Sequence, residues 1–516
     1  MLLKNAIGSK LMATLNSMGD PRDLDNRFIQ FPAIPTKYTI YNIYSGSLVP
    51  GVNGLPLLNG GLFPRLCNII GESGCGKTSF AIGSIASAVD YVWNRFGAGY
   101  SECLYFDPEN NTPPQRFMNL ANWAPADFLN KCNYSNEDLT LVDLANTIIK
   151  IYNIKTKCRK DYLLPSGIKD VDGREVMFLA PTFICVDSVA AVNPNGVEDL
   201  LQVDKAGEMK DIEKLGNNME AAIDAKAWTI FVRKIKPYLD GANIGLYCIN
   251  HKTKEMKVGM FDKETRYLPF LGMGEKIKGG KEFIYQSFNI VDFNSGEKYN
   301  DRNPVYGPNV NGFMSYASFV KNKYNIEGVR FPMVFDMNRG YVPELSDMEY
   351  LYQKKFGISG AVKLSLDILP EVQFTRKTLV DTIEEFPQLA RALAFTAKYH
   401  ACQEMLYRNA PASLVDMGQN ISLERRLALI YSFSESYDAK NDISEAYTNF
   451  MELAEGKRHY TVFNLSDNYR GNVFNNQNVD QVTSGYMPLT GHGATPFDIT
   501  DENTKGKYVF PNKYKA

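Results

Sequence analysis

From about residue 60 to residue 340, short apolar runs alternate with longer stretches of helical periodicity. The runs "RLCNII" (65–70), "ECLYFD" (102–107), "TFICVD" (182–187), "IGLYCIN" (244–250), "FNIVDF" (288–293) and "MSYASFVKNK" (314–323) predict strands. Residues 77–95 and 219–240 predict helices between them. Most of these strand runs are continuously apolar instead of alternating, the mark of strands covered on both faces. An α/β fold with a largely parallel sheet clothed by helices is therefore expected. Helical periodicity returns at 346–357 and 376–456, most strongly in "LVDTIEEFPQLARALAFTAKYHACQEML", and predicts a separate C-terminal helical region. After Gly456 the chain turns to Asn, Asp, Gly, Thr and Pro, as in "NLSDNYRGNVFNNQNVDQ", so an irregular tail is expected. At the other end Leu2, Leu3, Ile7, Leu11, Met12 and Leu15 fall at helical spacing and predict a short amphipathic arm. The expected division is an arm over 1–36, an α/β core over 37–345, a helical region over 346–456 and a tail over 457–516.

Within this pattern one stretch carries specific chemistry. "GESGCGKT" (71–78) follows a predicted strand and opens a predicted helix. Gly71, Gly74 and Gly76 allow the turn that points backbone N–H groups at phosphate oxygens, with Glu72, Ser73, Cys75 and Ser79 completing the loop. Lys77 reaches the outer phosphates and Thr78 offers a hydroxyl to magnesium. The spacing predicts a P-loop, with ATP and Mg2+ as cofactors. A magnesium nucleotide also needs a carboxylate at the end of a neighbouring strand. Asp187 closes "TFICVD" and suits that role, the lesser alternative being an Asp that caps the next loop. Hydrolysis further requires a base to orient water. Asp107 and Glu109 in "LYFDPENN" lie two residues apart, on one side of an extended chain. Glu109 is the candidate base, but spacing does not choose between the two.

Composition narrows the context. Hydrophobic residues at 44% and charged residues at 22% suit a globular chain with a large core. No run approaches the roughly 18 apolar residues of a spanning helix, and the N-terminus lacks the pattern of a signal peptide. The eight cysteines are dispersed without a CxxC pair, and there are only four histidines. That argues for reduced thiols in a cytoplasmic protein and against a metal cluster. Net charge is −2, from 56 basic and 58 acidic residues, so a polyanion site has to be a local patch.

Taken in order, these motifs resemble the RecA-type recombinases, most closely the bacteriophage UvsX branch, over roughly residues 40–345. "GESGCGKT" is similar to the family's Walker A and "VDSVAAV" (186–192) to its Walker B stretch. "FDPE" resembles the strand end whose last residue is the catalytic glutamate. "INHKTKEMKVGMF" (249–261) resembles the segment opening the second DNA-binding loop, and "VKNK" (320–323) the Lys-x-Lys element that reaches a neighbouring subunit's ATP. The resemblance implies that His251 senses the γ-phosphate and that Lys321 and Lys323 act in trans. A first DNA loop would lie near 193–218 and a second would run from His251 to about Lys281. In the second, Lys252, Lys254, Lys257, Lys276, Lys278 and Lys281 would face phosphates, and Met260 and Phe261 would supply an apolar wedge. The N-terminal arm would dock on an adjacent core, as the family's does. Partners implied are single- and double-stranded DNA and further copies of the chain in a helical assembly, with room for single-strand-binding and mediator proteins, and no membrane. The implied activity is a DNA-dependent ATPase that promotes homologous pairing and strand exchange in recombination, repair and recombination-dependent replication, in a bacterial cytosol during phage infection.

The sequence also departs from the pattern. Residues 157–181 look like an insertion, and Arg116 or Phe117 as base contacts fit the family poorly. Two other readings share the P-loop. A DnaB-type replicative helicase would normally place a sizeable helical domain ahead of it, where only about seventy residues stand. A nucleotide-binding filament protein that does not hydrolyse would not need Glu109, Lys77 and the lysine pair together.

Overall fold

The computed structural model describes residues 32–50, 56–169, 173–193, 220–254, 267–269, 289–299, 305–307, 310–366, 369–386 and 388–405. Helix α1 (Thr39–Ser45) leads into a hairpin of β1 (Ser47–Pro50) and β2 (Pro56–Asn59), then β3 (Leu66–Gly71) and α2 (Lys77–Phe96). Next come β4 (Glu102–Phe106), α3 (Pro114–Ala121), α4 (Pro125–Lys131), β5 (Cys132–Ser135), α5 (Leu141–Lys157), β6 (Leu163–Lys169), β7 (Glu175–Leu179) and β8 (Thr182–Asp187). Helix α6 (Glu220–Ala242) precedes β9 (Ile244–Lys254), β10 (Tyr267–Pro269), β11 (Asn289–Tyr299), β12 (Gly312–Lys321), β13 (Arg330–Asp336) and β14 (Gly340–Tyr341). The described chain closes with α7 (Pro343–Lys354), β15 (Ile358–Ser359), β16 (Leu364–Leu366), β17 (Leu369–Phe374), α8 (Leu379–Glu385) and α9 (Gln388–Met405).

The central sheet has the order β14-β13-β12-β11-β3-β9-β8-β4-β5, with β10 paired to β9 off this path. From β11 to β5 all neighbours are parallel, while β12, β13 and β14 continue the sheet antiparallel. The fold is thus mixed α/β with a largely parallel sheet, as the apolar runs predict. Alternate residues of one strand go to opposite covers. Leu66, Ile184, Val186, Leu246 and Cys248 pack with Leu144 and Ile148 of α5 and with Trp228, Phe231, Val232 and Ile235 of α6. Their neighbours Cys67, Ile69, Cys185, Tyr247 and Ile249 face the other way, in the cluster that holds Phe80, Ile82, Ile85 and Val89 of α2. Both faces being buried is why these runs show no polar alternation.

Among the described residues, the stretch read as an insertion before β8 is a hairpin, β6 with β7, whose Ile168 and Val176 pack on Val49 of β1. The helical region expected from 346 begins with α7 but is interrupted by a three-stranded antiparallel sheet, β15–β16–β17. Two- to six-residue strands leave too short a period-2 signal to stand out beside helical periodicity. The apolar cluster of the core runs across residue 345, taking in Leu345, Met348, Leu351, Leu389 and Leu393. Glu404 of α9 is tied to α1 and α7, accepting from Tyr44 Oη at 2.7 Å and Lys354 Nζ at 2.6 Å. The arm before residue 32 and everything after 405, including the expected tail, lie outside the described residues.

The described cysteines are unpaired, with Cys67, Cys75, Cys103, Cys185 and Cys248 buried. Buried Lys155 is the more unusual group. Its Nζ donates to Ala180 O at 2.6 Å and Ala242 O at 3.2 Å, joining the end of α6 to the approach to β8. Burial pushes this ammonium down to about 7 from an ordinary lysine value of 10.5. The unfolded chain therefore holds more protons than the folded chain between those values, and Lys155 makes stability rise with pH there. Between pH 7 and pH 9 the parent should gain on the order of 2 kcal/mol relative to Lys155→Met. Denaturant melts of both proteins at the two pH values check this, and parallel pH dependences would refute it.

Candidate nucleotide and metal site

Strand β3 delivers the P-loop at the carboxyl edge of the parallel strands, the position where open α/β sheets place ligands. Gly74 and Gly76 have φ of +74° and +90°, which side chains with a Cβ rarely adopt. At Gly76 a Cβ would also sit 2.9 Å from the Phe313 ring and 3.0 Å from that of Phe335. Those rings, stacked with centroids 5.4 Å apart, come from the antiparallel strands β12 and β13 and form a floor under the loop. Ser315 Oγ of β12 donates to Cys75 O at 2.7 Å, and the Cys75 thiol donates to Glu72 O at 2.9 Å. Ser73 and Gly74 are exposed at the loop's crest, whereas Ser79 is buried in α2.

Lys77 donates from Nζ to Gly71 O at 2.9 Å and Glu72 O at 2.6 Å, so its ammonium lies along the loop's inner rim. Burial lowers its pKa, opposed by the nearby Cys75, Asp187 and Glu109. Thr78 Oγ1 donates to Asp187 Oδ2 at 2.7 Å, joining the start of α2 to the end of β8. A hydroxyl and a carboxylate oxygen so placed are hard oxygen donors of the kind magnesium takes. Together with the loop's backbone amides they fit a magnesium nucleotide. Thr78 and Asp187 would hold the ion, directly or through water, and bound magnesium would neutralise charge on the outer phosphates. Asp187 is buried, which raises its pKa, while the hydrogen bonds from Thr78 and Tyr105 pull it back down. The peptide bond from Asp187 to Ser188 is cis.

Geometry separates the two carboxylates after β4. Asp107 is fully buried and accepts from Asn111 N at 3.1 Å, Thr112 N at 2.7 Å and Tyr134 Oη at 3.3 Å, so it braces its own loop. Glu109 points toward the strand that ends in Asp187, accepting from Ser188 Oγ, and its side chain keeps 26% exposure. His251 is in register with Gly71 on the adjacent strand β9, and its Nε2 lies 3.7 Å from Glu109 Oε1. Burial is the first cause that depresses the imidazole's pKa and Lys77 the second, with Glu109 opposing both. A neutral ring at neutral pH follows, able to donate on one side and accept on the other. Lys77, Thr78, Asp187, Glu109 and His251 thus meet at one sheet edge.

The lysine pair does not meet them. Lys321 is in register with Ile290, which pairs with Asn68, three residues before Gly71. At about 3.3 Å per residue it is set back about 10 Å from the loop along the sheet, and β12 runs away from that edge. Lys323 lies beyond the end of β12, two residues further along the chain. Lys321 is depressed by partial burial, then by the charges of Lys323 and Lys236, with Glu327 opposing.

Of the candidate DNA contacts, Lys252 places its Nζ 2.5 Å from Asp292 Oδ1, and its side chain is 9% exposed. That pairing turns its charge inward along β9 and β11, not toward a phosphate backbone. Lys254 ends β9 opposite Tyr267. Lys257, Met260, Phe261, Lys276, Lys278 and Lys281 lie outside the described residues, as does most of the first loop. Phe117 is corrected as a base contact, since it is fully buried against Tyr105, Trp123 and Phe128. Its helical position puts it on the inner face of α3, whereas Arg116 is exposed.

With the site described, comparison with known proteins adds little. No protein-family model matches the sequence, and no curated protein matches it. Among solved structures the chain is similar to the RadB recombinase. The match covers 55% of this chain and 92% of that one, at 14% identity and a TM-score of 0.29. A likeness that slight says nothing about activity. Two side chains at the site carry no motif of their own. Ser188 is visible in sequence only as the residue after Asp187, and Tyr105 reads as one more apolar strand residue. No helix among the described residues is long and apolar enough to cross a membrane.

Proposed function

We propose that this chain is an ATP-dependent DNA recombinase, which assembles on single-stranded DNA and pairs it with a homologous duplex. Lys77 and the loop amides bind ATP, Thr78 and Asp187 hold magnesium, and Glu109 orients water. His251 reports the phosphate to strand β9, whose far end leads toward the second DNA loop. The observation that carries the reading is the split of the site. All the groups for binding and water activation gather at one sheet edge, while Lys321 is set back from it along β12, and in this reading Lys321 and Lys323 serve the nucleotide of another copy. Charge neutralisation of phosphoryl transfer then waits for a neighbour, as with an arginine finger supplied in trans.

The test is the ATPase rate with and without single-stranded DNA, with electron micrographs of the same samples. Slow turnover in dilute protein, strong stimulation by DNA and visible filaments are expected. Full-rate hydrolysis by dispersed single copies, indifferent to oligonucleotide, would sink the reading. Stimulated ATPase with fork unwinding but no pairing of homologous strands would replace the recombinase by a helicase.

A further inference from the structure

Tyr105 stands one strand away from the metal carboxylate and is fully buried. Its Oη donates to Asp187 Oδ2 at 2.8 Å, the same oxygen that accepts from Thr78 at 2.7 Å. Two donors on one oxygen leave Oδ1 without a donor from either side chain, as the acceptor for a metal or its water. The phenol is fixed from behind as well. Its ring lies parallel to Tyr134 at 6.0 Å and edge-on to Phe117 at 5.1 Å. Thr112, in the loop that carries Glu109, is held by Asp107 through its N–H and by Tyr134 Oη through its carbonyl, at 2.7 Å and 2.9 Å.

We infer that Tyr105 is a positioning residue for the metal: its hydroxyl, donating to Oδ2 beside that of Thr78, keeps Asp187 turned so that Oδ1 faces the ion or its water. This rests on the nucleotide and metal reading given above. The Thr78 oxygen can ligate a cation through a lone pair while its hydrogen still donates to Asp187, so both donors persist when a metal binds. Tyr105, with its ring fixed in the core, keeps the carboxylate from rotating, at no cost in new ordering. A tyrosine present only to fill the core would serve as well without its oxygen.

The experiment uses the full chain, Mn2+ as the probe, and Tyr105→Phe, which removes one atom and keeps the ring. Mn2+ binding in the presence of ADP is followed by electron paramagnetic resonance, and binding of a fluorescent ADP is measured separately in EDTA. The expected result is about a tenfold weaker Mn2+ affinity, the size of a lost hydrogen bond to a charged group. Metal-free nucleotide binding should be unchanged, and the Mg2+ needed for half-maximal ATPase should rise more than kcat falls. In an Asp187→Ala background the same change should add less than about twofold, since the acceptor that Tyr105 holds is gone. Equal Mn2+ affinity in parent and variant overturns the inference. So does a matching loss of nucleotide binding in EDTA, or an undiminished effect in the Asp187→Ala background. If the parent takes up no Mn2+ with ADP at all, the nucleotide and metal reading itself fails, which is a separate outcome.

Discussion

Replacing Glu109 by glutamine should cut nucleotide turnover by about 10²–10⁴-fold, the usual worth of a positioned general base. Binding of ATP should survive. The amide oxygen still accepts from Ser188 Oγ, the contact that now aims the carboxylate, and the P-loop contacts of Lys77 and Thr78 do not involve Glu109. What the amide lacks is basicity, so water near the γ-phosphate is no longer deprotonated. His251, 3.7 Å from Glu109 Oε1, would then stay in its ATP-bound arrangement. Release of single-stranded DNA should slow in step with the loss of hydrolysis. Single-turnover hydrolysis and a DNA chase on the same preparation measure both quantities. A variant that hydrolyses at the parent's rate would remove Glu109 from the mechanism.

The lysine pair gives the second large effect. In the variant carrying Lys321→Ala and Lys323→Ala, DNA-stimulated ATPase should fall about 10³-fold, the lower range for cationic groups supplied in trans. Nucleotide affinity of the isolated copy should hold, because the pair is set back from its own loop across two strand pairings. A mixture sharpens the test. Copies with Lys77→Ala keep the lysine pair but have a damaged loop, and copies with the double alanine keep the loop. Interfaces that join one of each, in the right order, contain a complete set of groups. Mixing two inactive proteins should therefore restore a measurable rate, which neither regains alone at any concentration. A mixture that co-assembles on DNA and stays inactive would rule out the shared site.

How far the chain could be read before folding varies by region, for physical reasons. Strands β3, β4 and β8 are buried on both faces, so their apolar runs stood out to within a residue, and "TFICVD" and β8 coincide, whereas β9 runs four residues past "IGLYCIN" to Lys254. The turn at 71–78 was equally plain: its glycines take positive φ at Gly74 and Gly76, and the helix starts at Lys77. Strand β13 is as long and as buried as β3 and β8 but carries Pro332 inside its run, which weakens its strand signal, and β7 alternates exposed and buried positions over only five residues. Within the site, Lys77, Thr78 and Asp187 follow from motif and strand order. The choice between Asp107 and Glu109 does not, because it depends on which carboxylate the turn at Asn110, with φ of +54°, directs inward. Lys252 shows the opposite failure. In sequence it is one lysine among several, and only the pairing of β9 and β11 on either side of β3 brings Asp292 within reach of it.

Strand β12 has a mechanical consequence for the assembly proposed above. At one end its Phe313 and Ser315 bear directly on the phosphate loop of their own copy, and at the other it ends in Lys321. Ser315 and Lys321 are about 20 Å apart, six residues of extended backbone paired to β11, with one irregularity near Val320, and to β13 as far as Ser318. Each copy would thus carry a stiff rod from the nucleotide it holds to the nucleotide next door. Neighbouring pockets joined end to end by such rods would not fire independently, and hydrolysis would pass along the polymer in sequence, like a row of levers sharing pivots.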